Sequence, residues 1–160
     1  MVVEGRSGAG KSTLADLLGA ALAAPVLRMD DLYPGWDGLS AGSRRLEEEV
    51  LPRFRRGAPV RLRRWSWARG RWCPPAAAPL VVPPAPLLVV EGVGAGTRGA
   101  TRPGDVLLWL QAPEAVRRRR ALDRDGDAYA PHWERWAAQE ERHLAAHDPR
   151  GRADVVVRTG

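Results

Sequence analysis

Residues 5–12 read Gly-Arg-Ser-Gly-Ala-Gly-Lys-Ser, the spacing G-x-x-x-x-G-K-S. The octet follows a short apolar stretch, Met1 to Glu4. It opens a segment with Leu14, Leu17, Leu18 and Leu22 at helical spacing. A strand before and a helix after are the context in which this spacing binds phosphate. Glycines let the backbone curl so that successive N–H groups point inward at phosphate oxygens. The helix N-terminus adds its partial positive charge. Gly5, Ser7, Gly8, Ala9, Gly10, Lys11, Ser12 and Thr13 are therefore the candidate residues for binding the phosphates of a nucleoside triphosphate. Lys11 offers a compact ammonium to the β- and γ-phosphates, and the Ser12 hydroxyl is a ligand for Mg²⁺.

The lysine stands out for a second reason. Of 25 Lys and Arg residues, 24 are Arg, and Lys11 is the only lysine. The chain has no Ile and no Asn, while Ala, Arg, Gly and Pro make up half of it. That is the mark of a G/C-rich coding sequence, which turns lysines into arginines. A planar guanidinium does not replace an ammonium point charge in a tight phosphate loop, so this position keeps its lysine.

Composition excludes several classes. The 160 residues correspond to a single domain. One cysteine, Cys73, forms no internal disulfide and no thiolate metal cluster. The longest apolar run, Ala76 to Val90, is broken by four prolines, so no membrane span is expected. The N-terminus lacks the layout of a secretory signal, and a cytoplasmic protein is expected. Guanine recognition through an N-K-x-D loop is excluded, because there is no Asn and no second Lys. Gly94 to Gly99 spells G-x-G-x-x-G, but Pro103-Gly104 leaves no room for the helix a dinucleotide needs. A flexible loop is expected there. The net charge of +6 is expected to reflect arginine bias more than a nucleic-acid partner.

Short, continuously apolar segments alternate with helical ones. Strands are expected at Met1–Glu4, Val26–Met29, Leu87–Val90, Val106–Leu110 and Val155–Val157. Helices are expected at Lys11–Ala23, from an N-cap at Ser43, from Pro113 to about Arg124, and from Pro131 to about His147. Pro52 should kink or interrupt the second helix. The pattern predicts a three-layer α/β fold, a parallel five-stranded sheet with helices on both faces.

Two carboxylates sit where the ligand crevice of such a sheet opens, at strand C-terminal ends. Asp30 follows the second strand, in Met29-Asp30-Asp31-Leu32-Tyr33, and can accept a proton from an acceptor hydroxyl. Glu91 ends the apolar run Leu87 to Val90 and can reach Mg²⁺ directly or through water.

On these residues the chain resembles the uridine kinase-like P-loop kinases, the group of uridine–cytidine kinase, nicotinamide riboside kinase and phosphoribulokinase. The matching segments are GRSGAGKST at 5–13, DDLY at 30–33, VVEG at 89–92, the Arg-rich helix at 117–124 and the closing Ala153-Asp154-Val-Val-Val. The resemblance implies ATP and Mg²⁺, Asp30 as base for the accepting hydroxyl, and Glu91 near the metal. Where the family's nucleoside kinases carry Y-D-F or Y-D-W, this chain has Trp65-Ser66-Trp67. A serine offers no charged, two-oxygen grip on ribose hydroxyls, which counts against a nucleoside as acceptor. The family's lid pattern R-R-x-x-R-D is one residue longer here.

Arg117, Arg120 and Arg124 share a helix face. Arg120 and Arg124 are candidates for neutralising charge on the transferring phosphoryl, with 117–130 as a lid region. Arg117, Arg118 and Arg119 are expected on a solvated face. Residues 58–86 are expected to form an acceptor-binding insertion. Candidate acceptor contacts are Asp31, Tyr33 and Trp36, then Arg64, Ser66 and Trp67. Trp133 and Trp136 share a helix face with Glu140 and are expected to pack that helix on the sheet. The expected activity is transfer of the ATP γ-phosphate to a hydroxyl of a small molecule. Two other readings stay open: a polynucleotide- or RNA-end kinase using the Arg/Trp segment, and a non-catalytic NTP-binding regulatory module.

Overall fold

The computed structural model describes residues 1–74 and 79–160. Residues 75–78, inside the expected insertion at 58–86 and the start of the apolar run Ala76 to Val90, lie outside the described residues. Five parallel strands form the central sheet: β1 (Val2–Gly5), β2 (Val26–Arg28), β7 (Val89–Glu91), β8 (Leu107–Gln111) and β9 (Val155–Arg158). Their spatial order is β2-β7-β1-β8-β9, with β1 central. The C-terminal ends of β1, β2 and β7 therefore lie side by side, and Gly5, Arg28 and Glu91 end them.

Side-chain alternation along the strands feeds two cores. On one face Val2, Leu27, Val90 and Leu107 pack with Leu39, Leu46, Val50, Trp133 and Trp136. Those partners come from the helical run over 39–54 and from α5 (Trp133–His147). On the other face Val3, Val89 and Leu110 pack with Ala15, Leu14 and Leu18 of α1 (Lys11–Ala21). Helices cover both faces, as the strand patterning predicts. Among the described residues no helix is long and apolar enough to cross a membrane.

The helical run over 39–54 is α2 (Leu39–Arg45), a π turn (Leu46–Val50) and α3 (Leu51–Phe54). Pro52 has no N–H to donate inside a helix. The π turn lies just before it, and the Leu51 N–H reaches back five residues to the Leu46 carbonyl. Ser43 is not the N-cap: Gly38 is, and the helix starts five residues earlier. Ser43 is buried in the helix interior, its hydroxyl donating across to the Gly94 carbonyl at 2.9 Å. The acidic triplet Glu47–Glu49 imitates a first turn and misplaces the start.

The Gly94–Gly99 segment also departs from expectation. No helix follows it, but it is packed rather than flexible, with residues 92–97 buried. The reason is Glu4, fully buried in β1. Its carboxylate accepts the Gly94 N–H at 2.8 Å and the Gly96 N–H at 2.5 Å. His143 Nε2 of α5 lies 3.4 Å from the same carboxylate. Replacing Glu4 by Ala would leave two buried N–H groups without an acceptor. Each such group costs about 1–3 kcal/mol. Urea unfolding is expected to show the Glu4→Ala protein about 3 kcal/mol less stable.

α4 (Glu114–Asp125) begins one residue after Pro113, and two 3₁₀ turns, Gly126–Ala128 and Ala130–His132, lead into α5. The middle segment adds two small hairpins: β3 (Val60–Leu62) with β6 (Leu80–Val82), and β4 (Trp65–Ser66) with β5 (Arg71–Trp72).

Candidate active site

The loop after β1 is shaped by positions that reject a side chain. Gly8 has φ +78°, and a Cβ there would lie 2.0 Å from the Arg117 carbonyl oxygen. Gly5 faces the Leu110 carbonyl in the same way, at 2.3 Å. The loop thus sits pressed against α4 and β8. Lys11, the first residue of α1, is 8% exposed, and its Nζ donates to the Arg6 carbonyl at 3.1 Å, closing the loop on itself. Ser12 Oγ donates to Glu91 Oε1 at 3.2 Å across the gap between β1 and β7.

Two partners hold the loop from behind. Glu140 of α5, 1% exposed, accepts the Ser7 N–H at 2.8 Å and the Arg6 Nε–H at 2.7 Å. Arg117 donates to the Ser7 carbonyl at 3.2 Å and lies over the Trp133 ring. Arg118 and Arg119 are exposed as expected, but Arg117 is 5% exposed and structural. Its guanidinium faces the loop carbonyl rather than water. Removing the Glu140 carboxylate strands a guanidinium and a backbone N–H together. The Glu140→Ala protein is expected to lose about 3 kcal/mol of stability in chemical unfolding, and Glu140→Gln, which keeps one acceptor oxygen, to lose less.

The loop opens into a cavity of about 540 Å³. One end is polar: Ser7, Gly8, Lys11, Ser12, Arg28, Asp30, Glu91 and Arg124 line it. The other end is aromatic. Trp36 is its centre, stacked on Tyr129 (5.1 Å, 16°) and His132 (4.5 Å, 20°). Trp67 meets Trp36 edge to face at 4.7 Å, and Trp136 closes the wall beside Tyr33 at 4.9 Å.

Asp30 opens to this cavity but is surrounded by protein on its other sides. Burial raises its pKa above the usual aspartate value, and the nearby Lys11 and Arg124 charges pull the other way. Burial likewise raises Glu91, with Lys11 opposing. Asp31 is raised by burial and eased by Arg64. Asp31 itself is outside the cavity lining. Arg28 Nη1 lies 3.3 Å from Glu91 Oε1, while its Nη2 holds Asp16 at 2.7 Å.

The two arginines proposed to act together are separated. Arg124 lines the cavity and is gripped in bidentate fashion by Asp125, at 2.9 and 2.6 Å. Arg120 is exposed and donates to Thr159, whose hydroxyl donates to the Ala9 carbonyl at 2.8 Å. Tyr33 lines the cavity with its ring, but its hydroxyl donates to the Val93 carbonyl at 2.5 Å. Trp36 and Trp67 are cavity walls, whereas Ser66 and Arg64 are not. Gly5, Ala9, Gly10 and Thr13 also lie off the lining, on the loop's far side and on α1.

Residues not named individually as site residues complete the cavity: Arg28, Gly92 and Val93, then Asp125, Ala128 and Tyr129 of the expected lid region, and Trp136 in addition to its packing. Burial raises the Tyr129 phenol, keeping it neutral against the loop residue Ser7. Arg28 directly precedes Met29-Asp30 at a strand end, a position that could have marked it. Tyr129 follows a polar turn and carries no such signal.

No protein-family model matches the chain, and no curated protein sequence does. Solved structures do. A possible uridine kinase from Bacillus stearothermophilus superposes with TM-score 0.66 at 20% identity, covering 97% of this chain and 85% of that one. An uncharacterized protein from Eubacterium ventriosum gives TM-score 0.51 at 10% identity, over 99% of this chain and 86% of that one. A gluconokinase from Sinorhizobium meliloti gives TM-score 0.49 at 20% identity, over 98% and 80%. The chain shares the fold of the first of these, a five-stranded parallel sheet with helices on both faces.

Proposed function

We propose that this protein transfers the γ-phosphoryl group of ATP to a hydroxyl of a small molecule. One observation carries the reading. A phosphate-type loop with its lysine, a serine–glutamate pair and a separate aspartate line one cavity, whose far end is an aromatic wall. The likeness to a protein described as a possible uridine kinase supports it at the level of fold.

The donors fit the groups they would hold. The loop's glycines let it curl tightly against α4 and β8, where a Cβ would clash, and its N–H groups suit phosphate oxygens. Ser12 and Glu91 are oxygen donors, the chemistry Mg²⁺ prefers. Among the described residues no cluster of three His, Cys, Asp or Glu side chains could cage a metal. The ion would be shared between these two side chains, phosphate oxygens and water, as is usual for Mg²⁺. When bound it would neutralise charge on the β- and γ-phosphates.

In the reaction, the acceptor oxygen forms a bond to the γ-phosphorus while the bond to the β,γ-bridging oxygen breaks, and ADP leaves. Asp30 takes the proton of the accepting hydroxyl. Its raised pKa makes it a stronger base than an unperturbed aspartate. Lys11 stabilises negative charge on the phosphates, and Arg124 is positioned to do so on the transferring group. The transition state is loose, so positioning and charge dominate. Trp36, Trp67 and Trp136 hold the acceptor's apolar face. The absence of a carboxylate at position 66 argues against the ribose grip of the nucleoside kinases. ADP release, assayed with ATP and Mg²⁺ over sugars, vitamins, nucleosides and aminoglycoside-type compounds, tests the reading. Acceptor-dependent ADP is expected; ATP binding without it for any acceptor would reduce the protein to a binding module.

A further inference from the structure

The positive charge of this chain is confined to one segment. Residues 50–90 contain eight arginines, from Arg53 to Arg71, and no Asp or Glu. The segment carries +8, and the rest of the +6 chain sums to −2. A coding bias toward arginine raises Arg everywhere. It does not remove carboxylates from one stretch while 17 Lys and Arg face 19 Asp and Glu in the remainder.

The structure places the β4–β5 hairpin of this segment beside the aromatic end of the cavity. Trp67 lines the cavity, and its Nε1 donates to the Asp30 carbonyl at 2.9 Å. A Cβ on Gly35 would come within 3.3 Å of Trp65, so the β4–β5 hairpin lies directly on the loop that carries Trp36. Arg64 enters the hairpin, near enough to Asp31 to ease its carboxyl. Arg69 ends the 3₁₀ turn that joins the two strands, and Arg71 begins β5. All three are exposed, and among the described residues none has a carboxylate within 4 Å. Of the eight, only Arg55 has one, Asp105.

The aromatic side chains of the hairpin are already engaged. Trp65 and Trp72 pack on each other at 5.3 Å, and Arg45 lies over Trp72 at 4.3 Å. No stacking platform for successive bases is left outside the cavity. The guanidiniums are therefore suited to a compact anion rather than to a polynucleotide.

We propose that the phosphate acceptor is itself an anion, bearing a phosphate or carboxylate group beside its hydroxyl, and that Arg64, Arg69 and Arg71 bind that group. This rests on the phosphotransfer reading for the identity of the cavity's occupant. Guanidinium forks match both groups geometrically. The anion at the hairpin and the hydroxyl at Asp30 would then lie across Trp67, which fixes the acceptor's direction in the cavity.

The test uses the full chain saturated with Mg²⁺ and a non-hydrolysable ATP analogue. Matched pairs are titrated by calorimetry: sugars and sugar phosphates, polyols and hydroxy acids, nucleosides and nucleoside monophosphates. The charged member of at least one pair is expected to bind at least about tenfold more tightly, and less so as salt rises. Arg64→Ala/Arg69→Ala/Arg71→Ala should abolish that preference. The charge-keeping triple lysine variant should restore part of it, which separates anion binding from a folding defect. Arg118→Ala/Arg119→Ala/Arg142→Ala, which removes the same charge elsewhere, should leave it unchanged. Equal binding of neutral and charged members would overturn the proposal, as would equal loss in both alanine triples. Tighter, hairpin-dependent binding of a single-stranded oligothymidylate would overturn it in favour of nucleic acid. If a charged compound binds through these arginines but receives no phosphate when ATP replaces the analogue, the phosphotransfer reading fails and the anion site stands.

Discussion

Asp30→Asn is expected to leave binding of ATP and Mg²⁺ intact and to lower phosphotransfer by about 10²–10⁴-fold. Asparagine keeps the shape of the side chain and its place among Lys11, Arg124 and Trp67, but it takes no proton. The pH profile gives the sharper readout. Asp30 works as a base only when ionised, so turnover falls as pH drops through its pKa. Burial has moved that pKa upward, so the acid limb lies above the ordinary aspartate range. Glu91 is shifted the same way by burial and adds to the limb. The wild type should therefore show a steeper acid limb than Asp30→Asn, whose residual activity loses only the Glu91 contribution. Stability should move oppositely. A carboxyl with a folded pKa above its unfolded value favours folding below the unfolded pKa. That contribution is lost as pH rises through the folded pKa. Once pH has risen through its folded pKa, the ionised Asp30 opposes folding, and there Asp30→Asn should melt at a higher temperature than the wild type. An inactive variant that is also less stable would point to misfolding instead.

Lys11→Arg is the second large effect. It conserves charge in a chain whose other basic residues are all arginine. The ammonium sits in a loop with 8% exposure, its Nζ on the Arg6 carbonyl. A guanidinium is wider, planar and aimed differently, and the loop is bounded by the Arg117 backbone at Gly8. Loss of one well-placed cation or donor at a developing charge costs about 10²–10³-fold in turnover. Steady-state kinetics should show a loss of that size, with ATP affinity from calorimetry also reduced. Turnover near the wild-type value would remove Lys11 from phosphate chemistry and leave the lone lysine unexplained.

The five strands and their flanking helices were legible because each is short, apolar and bounded by turn residues. The strand order was not, because β7 slots between β1 and β2 through packing that no local pattern encodes. Asp30, Glu91, Lys11 and Ser12 converge because all sit at strand ends or on the loop, a position the fold class itself specifies. The residues that sequence reading missed act through distant contacts. Glu140 reaches Ser7 across 133 positions, and Glu4 reaches Gly94 across 90. A glutamate in the first strand reads as a boundary until its two N–H partners are seen. Ser43 reads as a cap because its burial against Gly94 is invisible locally. Arg120 and Arg124 share a helix face on a wheel, yet Thr159 draws the first away while Asp125 holds the second at the cavity.

The central claim is transfer, not hydrolysis or mere binding. Incubation with γ-³²P-labelled ATP, Mg²⁺ and matched charged and neutral hydroxyl compounds tests it most directly, with products resolved by chromatography. The label is expected in a phosphorylated small molecule, and to disappear from it in Asp30→Asn. Label recovered only in ATP or inorganic phosphate, with every acceptor offered and with ATP bound, would contradict the account.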